Sequence, residues 1–164
     1  PDHWEEFVKQ VPEAERDDIL GVYHRRLTGD DEVARMAAAR TWAAWEASCS
    51  KLRPSAEALA KFTKPHNALA LSRIETHYFV NGGFLGDNQI LDNMAKIRDI
   101  PGRIIHGRYD MVCPLSNALD LHRLWPASEL HIVRDAGHSA SEPGTVDALI
   151  RATEEIAKSL AGQE

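Results

Sequence analysis

The 164-residue chain contains no apolar run that approaches the roughly 18 residues required by a membrane-spanning helix. Cysteine is scarce: Cys49 and Cys113 are too few for a disulfide framework, and neither has the paired Cys or His spacing of a zinc site. Basic residues are outnumbered, because 19 Lys and Arg face 25 Asp and Glu and leave a formal charge of -6. These deficits argue against a membrane protein, a metal site and a surface that binds the phosphates of nucleic acid.

The residues from Pro1 to Glu6 have neither the basic segment nor the apolar segment of a secretory signal, but this says little about location because the start of the protein is expected upstream of Pro1. The two cysteines are expected to be reduced thiols, which is the default in the cytosol. We therefore expect a cytoplasmic protein. Its length suits one ordinary domain or two small parts of a larger one.

The chain also lacks Gly-x-Ser-x-Gly, the turn that carries a nucleophilic serine between a strand and a helix. The other two members of such a site are present. An apolar strand at 104–105 is followed by Asp110, and a second strand at 130–133 is followed by His138. Because ligands bind beyond the carboxyl ends of parallel strands, we expect Asp110 and His138 to share one site as two members of a catalytic triad. The serine and its oxyanion hole would then lie upstream of Pro1.

The pattern of the chain changes near residue 100. Before it we predict helices over 11–28, 33–50 and 65–81, and after it strands alternate with helices. This order forces a parallel crossover, and two strands alone cannot form a covered sheet, so further strands are expected from elsewhere. A terminal helix is predicted over 144–160, with Val146, Leu149, Ile150, Ile156 and Leu160 facing inward.

Three segments of the chain carry a resemblance to a known family. They run from Ser72 to Phe79, from Ile105 to Cys113, and from Leu130 to Gly144. The first is the most specific, whereas a strand ending in Gly-Arg-x-Asp is common to many α/β-hydrolases. On these residues the chain resembles the prolyl aminopeptidases, or proline iminopeptidases, of the α/β-hydrolase superfamily, and the likeness covers essentially its whole length.

The resemblance implies an α/β fold in two parts. Residues 1–99 would be an all-helical cap domain that sets substrate specificity, and 100–164 the C-terminal part of an α/β-hydrolase core, with parallel strands and crossover helices. It implies a serine-type aminopeptidase that releases N-terminal proline from peptides, with Asp110 as the triad acid and His138 as the general base. No metal or organic cofactor is implied. The chain alone is expected to be inactive, because the nucleophile is missing.

Substrate binding is expected in the helical part. Glu75 is followed by Tyr78 and Phe79 at i+3 and i+4, and Glu46 follows Trp42 by one turn of another helix. A carboxylate beside large rings suits a group that is both protonated and apolar, such as an N-terminal proline. In the resembling family, glutamates at the matching cap positions recognise the substrate amino group, and the resemblance transfers that role to Glu46 and Glu75.

Two other functions stay open on these residues. Another cap-bearing α/β-hydrolase, such as an esterase or an epoxide hydrolase, would use Asp110 and His138 on an uncharged substrate. A non-catalytic helical interaction module would use neither. Besides peptides with N-terminal proline, the expected partners are the missing N-terminal part of the hydrolase core and a second copy of the chain, joined at the unpaired strand edge at 104–105. Nucleic acid and membrane are not expected partners.

Two more residues near the predicted triad receive structural roles. Cys113 is expected at its rim as a small packing residue without a nucleophilic task. His106, inside the first strand, is expected to be a hydrogen-bonded structural histidine rather than a catalytic one.

Overall fold

The computed structural model of the chain describes residues 2–53 and 55–162, and the side chains among them from His3 onward. This part of the chain is mostly helical, and no helix in it is long and apolar enough to cross a membrane. Short 3₁₀ turns at Glu13–Asp18, Gly82–Phe84 and Met94–Lys96 connect longer elements. In chain order, the α-helices and β-strands are α1 (Asp2–Lys9), α2 (Ile19–Thr28), α3 (Glu32–Cys49), α4 (Ala56–Phe62), α5 (Pro65–Val80), α6 (Gln89–Asp92), β1 (Gly102–Gly107), α7 (Leu115–Leu124), β2 (Ser128–Val133) and α8 (Pro143–Ala161).

The chain divides into two compact units. The first comprises Pro1–Ser48 and Pro54–Asp87, and the second comprises Cys49–Arg53 and Asn88–Glu164. These boundaries differ from the sequence boundary between 99 and 100, because the turn-rich segment after Asn88 and the short segment 49–53 both belong to the second unit. Helical periodicity gives no sign of either difference, since both arise from contacts between residues far apart in sequence.

Aromatic rings form the centre of the first unit. Phe7 stacks on Tyr23 with ring centroids 4.5 Å apart, and Trp42 contacts the two rings edge-on at 5.6 and 5.4 Å. All three side chains are at most 5% exposed, so their burial is a main source of stability for α1, α2 and α3. Ala39 and Ala43 of α3 are fully buried beside them, which lets this helix approach its neighbours closely.

Aspartate side chains begin two helices of the first unit. Asp18 Oδ1 accepts a hydrogen bond from Gly21 N at 2.9 Å at the start of α2, and Asp31 Oδ1 accepts one from Ala34 N at 3.0 Å in α3. Hydrogen bonding from Arg25 holds the pKa of Asp18 below its ordinary value. Because α2 begins only after this cap, the predicted helix over 11–28 is wrong in its first part, which is the 3₁₀ turn Glu13–Asp18.

A parallel strand pair lies at the centre of the second unit. As predicted, β1 and β2 run parallel, with Gly102 opposite Ser128 and Gly107 opposite Val133. α7 connects the two strands, and both α7 and α8 pack against them. This register brings the carboxyl ends of β1 and β2 to the same edge of the sheet, so the segments that follow them begin side by side.

The buried face of α8 differs from the predicted one. Thr145, Ala148 and Ala152 are buried, and Ala148 belongs to a core cluster with Val133 of β2. The prediction selected the larger apolar side chains, but small residues spaced by three and four positions allow the helix to lie closer to the strands. The larger residues are partly or mostly exposed instead: Val146, Leu149, Ile150, Ile156 and Leu160.

Removing one hydroxyl tests the aromatic core. The Tyr23 hydroxyl donates to Phe7 O at 2.8 Å and the side chain is 0% exposed, so Tyr23→Phe leaves a buried carbonyl without its donor. We expect the free energy of unfolding to fall by about 1 to 3 kcal/mol. Tyr78→Phe, at an exposed ring, is the control and should change it by less than about 0.5 kcal/mol. Urea unfolding followed by tryptophan fluorescence measures both free energies. Equal effects of the two variants would contradict a stabilising role for the Tyr23 hydrogen bond.

We also expect Tyr23→Phe to change how the stability of the protein depends on pH in the alkaline range. Burial raises the pKa of Tyr23, so the neutral hydroxyl is favoured in the folded state. Its contribution to stability is complete below the ordinary tyrosine pKa of about 10 and is lost as the pH rises through the raised value. Wild-type stability should therefore fall more steeply above about pH 10 than that of Tyr23→Phe. Parallel pH curves of unfolding free energy would contradict this.

Candidate active site

The segments that leave β1 and β2 stay hydrogen-bonded to each other beyond the strands. Arg108 N donates to Val133 O at 2.9 Å, and Tyr109 N donates to Ala136 O at 3.0 Å. The approach is close: a Cβ atom on Gly107 would collide with the carbonyl oxygen of Gly137 and lie 2.8 Å from that of Ala136. Glycine at 107 therefore permits the contact that brings the residues after β1 next to the loop after β2.

Asp110 and His138 meet at this edge of the sheet. The Asp110 residue is 8% exposed, and its Oδ2 lies 3.0 Å from His138 Nδ1. Its Oδ1 accepts hydrogen bonds from Val112 N at 3.0 Å and Cys113 N at 2.8 Å. Since both carboxylate oxygens have partners, the orientation of the Asp110 side chain is fixed.

This arrangement defines the chemistry available to His138. A carboxylate oxygen only accepts, so the hydrogen bond requires the proton on Nδ1 and leaves Nε2 of a neutral ring as its basic nitrogen. The His138 side chain is 39% exposed, whereas that of Asp110 is 5% exposed. The pair can therefore receive a proton from a group in solvent or in a bound molecule, with the carboxylate stabilising the imidazolium that forms.

A second imidazole contacts the same carboxylate. His106 Nε2 lies 2.9 Å from Cys113 O and 3.5 Å from Asp110 Oδ2. The carbonyl can only accept, so Nε2 carries a proton. With its side chain 16% exposed, His106 is a hydrogen-bonded partner of the turn after Asp110.

Sequence analysis did not single out the residues that hold the loop of His138 from the other side. Ser139 N donates to Ser50 O at 2.7 Å, and the buried Glu142 side chain accepts hydrogen bonds from Gly137 N and Leu52 N. The only signal in the sequence was a glutamate four residues after a loop histidine. The segment 50–52 gave no signal, because its partners lie about ninety positions away along the chain.

In the first unit, Trp42 contacts two of the four predicted substrate residues, Glu75 and Phe79. Its indole Nε1 donates to Glu75 Oε2 at 2.6 Å, and its ring lies 6.2 Å from that of Phe79. Trp42 is 5% exposed, so it holds the Glu75 carboxylate from within the core. Glu46 is half-buried one turn further along α3, on the same face as Trp42.

Tyr78 belongs to a different group of rings. It meets Phe84 edge-on at 5.4 Å, and the His77 ring lies 5.3 Å from Phe84. Phe84 has a φ of 59°, in the left-handed region that a phenylalanine rarely adopts, directly after Gly82 and Gly83. The structure thus gathers Glu75 and Phe79 at Trp42, and it places Tyr78 beside the chain reversal that follows α5.

One cavity with a polar lining in the second unit includes neither Asp110 nor His138. This cavity, of about 480 Å³, lies beside both strands and α8, lined by Arg103, Glu129 and Glu155 among others. Arg103 is paired there with Glu129 at 3.1 Å and with Glu155 at 3.7 Å. Within residues 2–53 and 55–162, no group of three or more His, Cys, Asp or Glu side chains could hold a metal ion.

Comparison with known proteins identifies the relatives of this chain. It is 50% identical over 158 residues to a proline iminopeptidase of Xanthomonas citri, a match that covers 96% of this chain and 50% of that protein. It is 49% identical over 164 residues to a proline iminopeptidase of Arabidopsis thaliana, covering 99% of this chain and 43% of the relative. The chain is related to the proline iminopeptidases. No protein-family model matches it.

The resemblance inferred from the sequence is thereby confirmed. More distant proline iminopeptidases match as well, including that of Neisseria gonorrhoeae, 40% identical over 157 residues, with 95% of this chain and 49% of the relative covered. The chain spans about half the length of the curated relatives it matches.

Thiol chemistry tests the surroundings of Asp110. Partial burial raises the pKa of Cys113, and the Asp110 carboxylate raises it further. In a Cys49→Ala background, alkylation of Cys113 by iodoacetamide should therefore require a higher pH than that of an ordinary thiol. Asp110→Asn removes the smaller cause and should lower the pH midpoint without restoring the ordinary value. Mass spectrometry of the alkylated chain measures this midpoint.

The exposed Asp99 supplies the matched control, because Asp99→Asn removes the same charge elsewhere in the second unit. It should leave the Cys113 midpoint unchanged. A midpoint that is the same in wild type and in Asp110→Asn would contradict an effect of this negative charge on the Cys113 thiol.

Proposed function

We propose that this chain is the C-terminal part of a serine aminopeptidase that releases proline from the N-terminus of peptides. The observation that carries the proposal is the 3.0 Å contact of Asp110 Oδ2 with His138 Nδ1, beyond the ends of adjacent parallel strands, in a relative of the proline iminopeptidases. Residues 100–164, with the rest of the second unit, would belong to an α/β-hydrolase core, and the part of 1–99 that lies in the first unit would belong to a helical cap that sets specificity. The two free thiols support a cytoplasmic location.

The proposed reaction assigns one proton-transfer path to His138. Its Nε2 takes the proton of a serine hydroxyl as the oxygen attacks the carbonyl carbon of the prolyl residue. The imidazolium then donates this proton to the leaving amine, and a water molecule repeats the sequence to release proline. Asp110 keeps the proton on Nδ1 and stabilises the charged ring. The serine and the oxyanion donors would come from the part of the enzyme that this chain does not cover, and no cofactor takes part.

Glu46 and Glu75 are proposed to recognise the protonated amine of the substrate. Hydrogen bonding from Trp42 gives the Glu75 carboxylate a defined orientation, and its negative charge attracts an ammonium group. Exposed rings at Tyr78 and Phe79 offer apolar surface for a pyrrolidine ring. A blocked or acylated amine would lose the charge that the two carboxylates attract.

The remaining partner proposals concern the sheet. In the described part of the chain β1 pairs only with β2, so its other edge is available to a further strand. We propose that this strand belongs to the missing part of the hydrolase core, and that self-association at the same edge replaces it when that part is absent.

The triad proposal is tested in a joined enzyme, made from this chain and the part of the Xanthomonas citri relative that the chain does not match. The joined enzyme should release proline from prolyl amides, and Asp110→Asn should lower kcat by about 10⁴-fold, as expected when the base is held in the wrong tautomer. His138→Ala should be at least as damaging. Asp99→Asn is the control and should retain full activity.

Two outcomes would contradict this assignment. One is a folded joined enzyme that labels with a serine reagent but releases no proline. The other is serine-reagent-sensitive proline release by the 164-residue chain alone, because the nucleophile would then lie within it.

Substrate recognition is tested by Glu75→Gln and Glu46→Gln in the joined enzyme. Glutamine at 75 can still accept from Trp42, so the variant removes the charge but not the contact. Loss of a hydrogen bond to a charged group costs about 1.5 to 3 kcal/mol, so kcat/KM for a prolyl amide should fall about 10- to 100-fold. Turnover of a neutral ester should change far less. Glu154→Gln, at an exposed position on α8, is the matched control.

The same measurements separate the alternative functions. An esterase or epoxide hydrolase would hydrolyse its neutral substrate and show no selective loss for prolyl amides in either glutamate variant. A non-catalytic module would show no turnover that depends on Asp110 or His138.

A further inference from the structure

We propose that Glu142 is a positioning residue for His138, an inference that rests on the proposed role of His138 as the base. His138 lies in the loop between β2 and α8. The buried Glu142 carboxylate is hydrogen-bonded both to this loop and to a segment that is distant in sequence.

The Glu142 carboxylate joins two stretches of backbone. Oε1 accepts a hydrogen bond from Leu52 N at 2.8 Å, and Oε2 accepts one from Gly137 N at 3.2 Å. Glu142 is only 7% exposed. Each oxygen therefore satisfies one backbone donor, and the side chain connects the residue before His138 to the segment 50–52.

The direction of this side chain is unusual for its place in the chain. Glu142 is the N-cap residue of α8, where a side chain commonly accepts a hydrogen bond from the first turn of its own helix. Glu142 makes no such bond, and Pro143 at the first helical position has no N–H to offer. Because the helix start does not use this carboxylate, its two contacts with the loop and with Leu52 are its structural role.

A second contact holds the loop on the other side of His138. Ser139 N donates to Ser50 O at 2.7 Å, so the residues before and after His138 are both linked to 50–52. There is also no room for a side chain at Gly137, since a Cβ there would lie 2.8 Å from Leu52 N. Towards Asp110, Tyr109 N donates to Ala136 O. The backbone around His138 is thus held by hydrogen bonds on two sides: to the segment after β1 that carries Asp110, and to the segment 50–52.

Displacement of a catalytic group by about 1 Å can lower a rate by about 100-fold. Glu142→Gln keeps the size of the side chain but has only one oxygen acceptor, so one of the two backbone donors loses its partner. Glu142→Ala removes both acceptors. We expect both variants to loosen the His138 loop, and with it the hydrogen bond to Asp110. Glu154→Gln on the exposed face of α8 is the control for loss of one negative charge.

The first measurement uses the 164-residue chain and does not depend on activity. Nitrogen-15 chemical shifts of the His138 ring, recorded at alkaline pH where imidazole is neutral, report which nitrogen carries the proton. Wild type and Glu154→Gln should have the proton on Nδ1, and Glu142→Gln should give a mixture of tautomers. A ring that keeps the wild-type tautomer in Glu142→Gln would overturn the proposal.

The second measurement uses the joined enzyme, with rates expressed per active site titrated by a serine reagent. We expect kcat to fall about tenfold in Glu142→Gln and up to about 100-fold in Glu142→Ala, with KM within about twofold of wild type. A purely structural role would reduce the number of active sites but leave kcat per site unchanged, and that result would overturn the proposal. If Glu142→Ala does not fold, the isosteric Gln variant decides. If the wild-type joined enzyme is inactive, the proposed function fails, and the tautomer measurement still decides the role of Glu142.

Discussion

The hydrogen bond between Asp110 and His138 depends on the parallel register of β1 and β2. Because the two strands end at the same edge, the carboxylate and the imidazole start from neighbouring positions, and Gly107 lets the segments that follow approach within backbone contact. The turn after Asp110 then directs two backbone N–H groups to one carboxylate oxygen and leaves the other for His138. A change in register would move one partner by a residue and break this arrangement.

In the first unit, one tryptophan both packs in the hydrophobic core and makes a hydrogen bond to a carboxylate. Trp42 contacts Phe7 and Tyr23 in the aromatic core, and its single donor reaches the Glu75 carboxylate. The carboxylate is therefore held by a ring that cannot move without disturbing the core. Rigid support of this kind limits the side-chain entropy lost when a ligand binds to such a group.

Sequence reasoning succeeds here where the signal is local. The parallel strand pair follows from short apolar runs separated by a helix, and the proximity of Asp110 and His138 follows from their places after those runs. Sequence reasoning fails where contacts between residues distant in sequence determine the structure. The buried face of α8 consists of small residues such as Ala148 and Ala152, which fit closely against the strands, rather than the larger residues of its apolar stripe. The segment 49–53 belongs to the second unit but has no sequence pattern that predicts this. The contact of Glu142 with Leu52 could not be predicted, because the two residues are 90 positions apart in the sequence.

The route of the backbone through the two units has a consequence for dissecting the molecule. The chain enters the second unit at 49–53, returns to the first, and comes back only at Asn88. No single cut can therefore excise the second unit whole: a fragment that starts at Asn88 would retain both strands yet lack the stretch that anchors the histidine loop. The hydrogen bonds of this loop to Ser50 and Leu52 each close a stretch of about ninety residues, which costs more chain entropy than a contact between neighbours in sequence.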